Sequence, residues 1–197
     1  MHDAAAAANS DWLRIAVYVV AALASAAVAV RSWGGRAHDD RWIATFWSVT
    51  AALLVLLALA RGISFGAELA HWGRTVFRTE GWYPDRRPLQ RDAILALVAG
   101  AGIVGVAGGG VLVARRWASL LPAFLLVVAL LTFVSVRAIS LHDIDAVLYR
   151  RSLADVQFSA LIELLVTALI GLAAAVAATA PRPAPPPPRT VEMEQAD

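Results

Sequence analysis

The chain has 197 residues, of which 59% are hydrophobic, and its mean hydropathy is +0.65. That composition excludes an ordinary soluble domain, in which about half of the residues are apolar. The net charge of +2 provides no basic stripe for nucleic acid, so nucleic-acid binding is not expected. The chain has no cysteine, which excludes disulfides, thiolate zinc sites and cysteine nucleophiles.

Five apolar segments are each long enough to cross a bilayer core, which takes about 20 helical residues. They cover residues 12–30, 42–60, 93–114, 117–136 and 159–180. Because backbone groups in lipid must be paired within their own segment, each is predicted to be a helix. The predicted fold is therefore an all-α, five-helix transmembrane domain over residues 1–180.

The first span is expected to be a retained helix, because nothing basic precedes Arg14 and a signal peptide needs a positive start. All 17 basic residues are arginines, which together with abundant alanine is typical of GC-rich bacterial genomes. We therefore expect a multi-pass protein of the bacterial inner membrane. Residues 181–197 begin with a proline-rich run that predicts a disordered tail, either a spacer or a docking ligand.

Orientation follows from the arginines near the span ends. Arg31, Arg36 and Arg41 lie in the first loop, and Arg115 and Arg116 form the turn between spans three and four. The positive-inside rule places these arginines and the C-terminus on the cytoplasmic side, and the N-terminus outside. Six arginines in the second loop argue for the opposite orientation.

The second loop separates spans two and three. Apolar residues at helical spacing over residues 65–78 predict a short amphipathic helix in the membrane interface. The polar candidates of this loop and of the start of span three are Arg74, Trp82, Tyr83, Arg86, Arg87 and Gln90. They are candidates for binding an anionic lipid headgroup, an anionic substrate or a partner protein, or for anchoring the loop at the bilayer surface.

The fourth loop lies on the same membrane face as the second, because loops alternate sides. Arg137, His142 and Asp145 follow span four, and Glu163 lies about one turn into span five. A carboxylate within a span is a functional hypothesis by default. The alternative is a structural ion pair with Arg137 or a loop arginine. We expect these residues to cluster with the Arg86–Arg87 end of span three.

Two residue pairs have the spacing of metal ligands on one helix face. They are Glu68 with His71 and His142 with Asp145, and imidazole with carboxylate suits zinc or iron. These are weak candidates for a metal-dependent intramembrane enzyme, and no cofactor is predicted.

Span three carries Ala101, Gly105 and Gly109 on one face, a spacing that lets another helix approach closely. That face predicts packing within the bundle, or alternatively homodimerisation.

Several of these segments resemble an uncharacterised group of small bacterial inner-membrane proteins. The resemblance rests on G-W-Y-x-x-R-R-P-x-Q over residues 81–90, on R-A-x-S-x-H-x-x-D over residues 137–145, and on residues 73–74 and 161–164. It spans roughly residues 47–164, and the chain departs from the group's more polar pattern between residues 63 and 71. It implies a fold and a set of positions, without an activity.

The predicted function is a non-catalytic scaffold, assembly or sensing module that uses one polar membrane face. The alternatives are the metal-dependent enzyme and an accessory subunit of a transporter. The predicted partners are the lipid bilayer, an anionic lipid headgroup, and a partner protein or second copy of the chain.

Overall fold

The computed structural model describes residues 2–34, 38–63, 75, 86–115, 117–139, 152–153 and 156–180. It contains five long helices: α1 (His2–Trp33), α2 (His38–Gly62), α3 (Arg86–Ala114), α4 (Leu121–Ile139) and α5 (Phe158–Thr179). A 3-10 turn at Ala118–Leu120 leads into α4, and two-residue strands β1 (Ser152–Leu153) and β2 (Val156–Gln157) pair antiparallel just before α5.

All five helices are long and apolar enough to cross a membrane, over Trp12–Trp33, Asp40–Gly62, Gln90–Ala114, Ala118–Ile139 and Phe158–Thr179. The prediction of an all-α, multi-pass membrane protein is confirmed. The predicted amphipathic helix over residues 65–78 and the proline-rich tail lie outside the described residues, except for Thr75, which is helical.

Contacts at the helix ends establish how the bundle is arranged. At one end, Gln90 of α3 donates to the backbone carbonyl of Ile139 in α4. At the other end, Arg31 of α1 donates to the carbonyl of Ala180, just after α5. Helices α1 and α5 therefore run in the same direction, and α3 runs against α4.

The core lies among α1, α2, α4 and α5. One layer is built from small residues and larger side chains of all four helices: Tyr18, Ala21, Ala22, Leu54, Ala58, Leu130 and Ile170. A second layer toward the other end contains Val28, Ala29, Trp47, Leu120, Ala123 and Ala174. The alanines let the helix backbones approach closely, which is how membrane helices gain packing contacts.

Four hydroxyl side chains inside the spans are paired within their own helices. Ser25, Thr50, Thr132 and Thr167 each donate a hydroxyl hydrogen bond to the carbonyl four residues earlier in the same helix. This pairing removes the cost of placing a hydroxyl in an apolar environment.

Helix α3 is the least buried of the five. Among its residues whose exposure is described, only Gly109 is buried, and its extensive contacts are with α4 and the 3-10 turn at Ala118–Leu120. The described helices thus form a four-helix core, and α3 lies outside this core in contact with α4.

Candidate functional site

A stripe of polar and small residues on α5 faces the interior of the bundle. Ser159, Glu163 and Thr167 recur every four residues and are each at most 2% exposed. Gly171 continues the stripe, and a side chain there would meet the Cα of Ala21 at 3.3 Å. Four-residue spacing places these residues on one helix face, so α5 packs on α1 along this line.

Glu163 binds Arg61 through a two-pronged contact. One terminal nitrogen of Arg61 lies 2.8 Å from Oε1 and 2.6 Å from Oε2, and its Nε lies 3.2 Å from Oε1. A guanidinium fork on a carboxylate is among the strongest hydrogen-bonded pairs in proteins. It joins the last turn of α2 to the second turn of α5.

Three other side chains complete the arrangement. The Tyr18 hydroxyl donates to Oε1 of Glu163 at 2.7 Å. Arg137 donates to Oε2 at 3.3 Å, and a nitrogen of Arg14 lies 3.9 Å from the same oxygen. We call these three residues, together with Arg61 and Glu163, the Glu163 cluster.

The cluster draws on all four helices of the core. Arg14 and Tyr18 come from α1, Arg61 from α2, Arg137 from α4 and Glu163 from α5. A buried carboxylate is costly unless it is both paired and hydrogen-bonded, and here both oxygens accept from several donors. The cluster therefore locks one end of the bundle.

Burial within the cluster is graded. Glu163 and Arg14 have side chains that are 1% and 3% exposed, whereas those of Arg137 and Arg61 are 17% and 25% exposed. The carboxylate of Glu163 is therefore buried, and the partly exposed side chains of Arg61 and Arg137 lie between it and the outside of the bundle. A carboxylate held this way is a poor general base, because its lone pairs already accept hydrogen bonds from cations and a phenol.

Of the polar residues predicted from the sequence, the structure brings Arg137 and Glu163 into contact. Gln90 lies nearby through its bond to Ile139, two residues beyond Arg137. Arg86 and Arg87 begin α3, but their side chains lie outside what the structure describes. The remaining predicted polar and metal candidates also lie outside the described residues: Glu68, His71, Arg74, Trp82, Tyr83, His142 and Asp145.

Sequence reasoning missed three members of the cluster, namely Arg14, Tyr18 and Arg61. The signal was available for the two arginines. Alternation of the spans places the start of the first, the end of the second and the start of the fifth on one membrane face. Arg14 and Arg61 therefore lie at the same depth in the membrane as Glu163. The same alternation of spans is the reason to expect Arg137 close to Glu163.

Metal binding finds no support among the described side chains, which contain no group of three potential metal ligands. The predicted ligand pairs lie outside that part of the chain.

The glycine-rich face of α3 packs on α4. Gly105 and Gly109 approach Leu125 and Leu121, to 3.7 Å and 3.0 Å from the position of an added Cβ. Gly108 lies closer still, since a Cβ there would be 2.5 Å from the ring of Phe124. Ala101, also predicted for this face, lines a groove beside the contact.

The groove runs between α3 and α4 and has a volume of about 1090 Å³. Its walls extend from Val98 to Ala114 on α3, a rise of about 24 Å at 1.5 Å per residue. Thr132 is the one hydroxyl-bearing residue in the lining, and its hydroxyl is bonded to Val128. The groove thus has an uncharged lining and is long enough to extend through most of the bilayer core.

An open stripe on α3 borders the groove. Gly102, Val106 and Gly110 recur every four residues and line it, and Val106 is 79% exposed. A Cβ added at Gly102 or Gly110 would meet nothing within 4 Å. Helix α3 therefore packs on α4 along Gly105 and Gly109, and it leaves open an adjacent stripe in which Val106 lies between two glycines.

No protein-family model matches the chain, and no curated protein or solved structure matches it either.

Proposed function

We propose that the protein is a non-catalytic scaffold of the bacterial inner membrane, which self-associates through the groove between α3 and α4. The observation that carries this proposal is the open stripe of Gly102, Val106 and Gly110 beside an uncharged groove. Small residues allow close backbone approach between membrane helices, where packing contacts drive association.

The chain itself supplies a suitable occupant. Helix α3 has no charged residue between Asp92 and Arg115, and most of its surface is exposed. In a two-fold dimer, α3 of each copy would lie against the open stripe of the other, so one symmetric contact would cover both. A second copy is therefore the partner that this surface favours.

The Glu163 cluster supports the scaffold part of the proposal. Its carboxylate accepts hydrogen bonds from Tyr18, Arg61 and Arg137, which suits a structural lock better than a proton-transfer group. The rigid core then presents α3 and its groove to neighbouring molecules in the bilayer.

Cysteine cross-linking tests the proposed dimer. Because the chain has no cysteine, a single introduced cysteine is unique. Val106→Cys should form a disulfide-linked dimer in lipid, whereas Val30→Cys on α1, which is 73% exposed, should not. Equal cross-linking at both positions would indicate random collision and would contradict the proposal.

A glycine series tests the groove without disturbing the fold. Gly102→Leu and Gly110→Leu each add a side chain where the monomer has open space, so they should abolish the dimer and leave the monomer folded. Gly100→Leu is the matched control, because Gly100 also has open space but does not line the groove. Fluorescence energy transfer between labelled copies should therefore fall in Gly102→Leu and Gly110→Leu and stay at the wild-type level in Gly100→Leu.

A further inference from the structure

We propose that Arg61 and Arg137 form a binding site for an anionic phosphate group at one end of the bundle, separate from the α3–α4 groove. The charge balance of the Glu163 cluster is the starting point. The cluster holds three guanidinium cations, Arg14, Arg61 and Arg137, around one carboxylate. Arg61 and Arg137 alone carry two positive charges and share the single negative charge of Glu163, so this pair favours a second anion.

Arg61 and Arg137, the two more exposed arginines of the cluster, use only some of their N–H groups in hydrogen bonds to Glu163. Arg137 makes one hydrogen bond to Glu163, through one of its five N–H groups. Arg61 uses its Nε and one terminal nitrogen, which leaves its other terminal nitrogen. Among the described contacts no further partner is recorded for either side chain. Both side chains are partly exposed, so the pair borders the outside of the bundle.

The spacing suits a tetrahedral anion. Nitrogens of Arg61 and Arg137 lie 2.6 Å and 3.3 Å from the same oxygen of Glu163, so they cannot be more than about 6 Å apart. The two guanidinium groups are therefore neighbours, and charge-assisted N–H···O bonds of about 2.8 Å would let one phosphate group accept from both. The planar fork of arginine matches phosphate oxygens, which a lysine ammonium does not.

The depth of the site matches the level of lipid phosphates. Arg61 is the penultimate residue of α2, and Arg137 lies two residues before the end of α4. The spanning segment that contains Arg137, Ala118–Ile139, is about 33 Å long at 1.5 Å per residue, close to the thickness of the hydrocarbon core. The guanidinium groups therefore lie where the hydrocarbon meets the headgroups. A lipid phosphate or a soluble phosphate compound can reach this level.

Lipid retention by the full-length protein is the first arm of the test. Native mass spectrometry would compare phosphatidylglycerol with phosphatidylcholine, since only the first carries net negative charge. We expect the wild-type protein to retain phosphatidylglycerol, and Arg137→Gln to weaken retention about tenfold or more, because a charge-assisted hydrogen bond is lost. The matched control is Arg91→Gln, which removes an exposed arginine near the start of α3, at the same end of the bundle.

A second variant separates binding from folding. Arg137→Lys keeps the positive charge beside Glu163 but lacks the fork, so it should fold normally and retain the lipid several-fold less well than the wild type. Inorganic phosphate is the second arm, compared with chloride at equal ionic strength. Thermal stabilisation by phosphate that is lost in Arg137→Lys, without retention of phosphatidylglycerol, would identify a soluble ligand.

Two results would overturn the proposal. One is equal retention of phosphatidylglycerol by the wild-type protein, Arg137→Gln, Arg137→Lys and Arg91→Gln, which would reflect general attraction to anionic lipid. The other is the absence of any response of the wild-type protein to phosphatidylglycerol and to inorganic phosphate. Failure of dimer formation would not affect either arm, because α3 contributes no member of the Glu163 cluster.

Discussion

Replacing Glu163 by Gln should destabilise the bundle more than any exposed substitution at the same end. The change keeps the size of the side chain and removes its charge, so three arginines lose their shared carboxylate. Removing one partner of a buried ion pair costs about 3–5 kcal/mol, because the remaining charge stays in a poorly solvated site. We expect about 3 kcal/mol here, since Arg61 and Arg137 reach solvent in part.

The geometry also predicts which arginine is coupled most strongly to Glu163. Arg61 approaches both carboxylate oxygens, at 2.8 Å and 2.6 Å, whereas Arg137 makes one contact at 3.3 Å. A double-mutant cycle should give a coupling free energy of about 2 kcal/mol for Glu163 with Arg61 and about 1 kcal/mol with Arg137.

Reversible unfolding in mixed micelles of a mild detergent and dodecyl sulfate, followed by tryptophan fluorescence, would measure these free energies. Asp92→Asn is the control, because Asp92 is an exposed acid near the start of α3 at the same end of the bundle. Its loss should change stability by no more than about 0.5 kcal/mol. The reasoning fails if Glu163→Gln costs no more than this control, or if both cycles are additive.

Two other predictions concern packing and topology. Gly108→Ala should weaken α3–α4 packing by about 1–3 kcal/mol, because the new Cβ would lie 2.5 Å from the ring of Phe124. Gly100→Ala meets open space and should cost nothing in packing, so equal effects in an unfolding assay would contradict the contact. Five spans also place the two chain ends on opposite sides of the membrane. Accessibility of N- and C-terminal tags in oriented vesicles would measure this, and two ends on one side would refute the five-span topology.

The five spans could be predicted because their signal is local. A run of about 20 apolar residues is sufficient to indicate a membrane helix, without knowledge of its neighbours. The ends of the membrane-spanning segments in the structure lie within a few residues of those expected from the sequence, although helices α1 and α3 begin well before their spans. The same locality explains why Glu163 and Arg137 could be linked in advance, since they belong to consecutive spans on one membrane face.

The dominant partner of Glu163 could not be chosen in the same way. Arg61 is 102 residues away in the chain and becomes a neighbour because α2 and α5 both pack on α1. Alternation of the spans gives the depth of each arginine but not its lateral position, which depends on how the helix surfaces fit together. Close packing of small residues, such as Gly171 on Ala21, determines that fit.

The glycines of α3 illustrate a similar limit. A four-residue repeat of small residues predicts a packing face, but glycines occur on two neighbouring faces of this helix. Gly105 and Gly109 form one, and Gly102 and Gly110 belong to the next face around the helix. The sequence contains both, and only the position of α4 determines which is occupied within the monomer.

The order of the helices has a consequence for biosynthesis. The three arginines of the Glu163 cluster lie in α1, α2 and α4, whereas its carboxylate lies in α5, the last of the five helices to leave the ribosome. The three arginines therefore lack the carboxylate of Glu163 while the first four helices enter the membrane. A chain truncated before α5 lacks this carboxylate, so the three arginines lose the anion that they share.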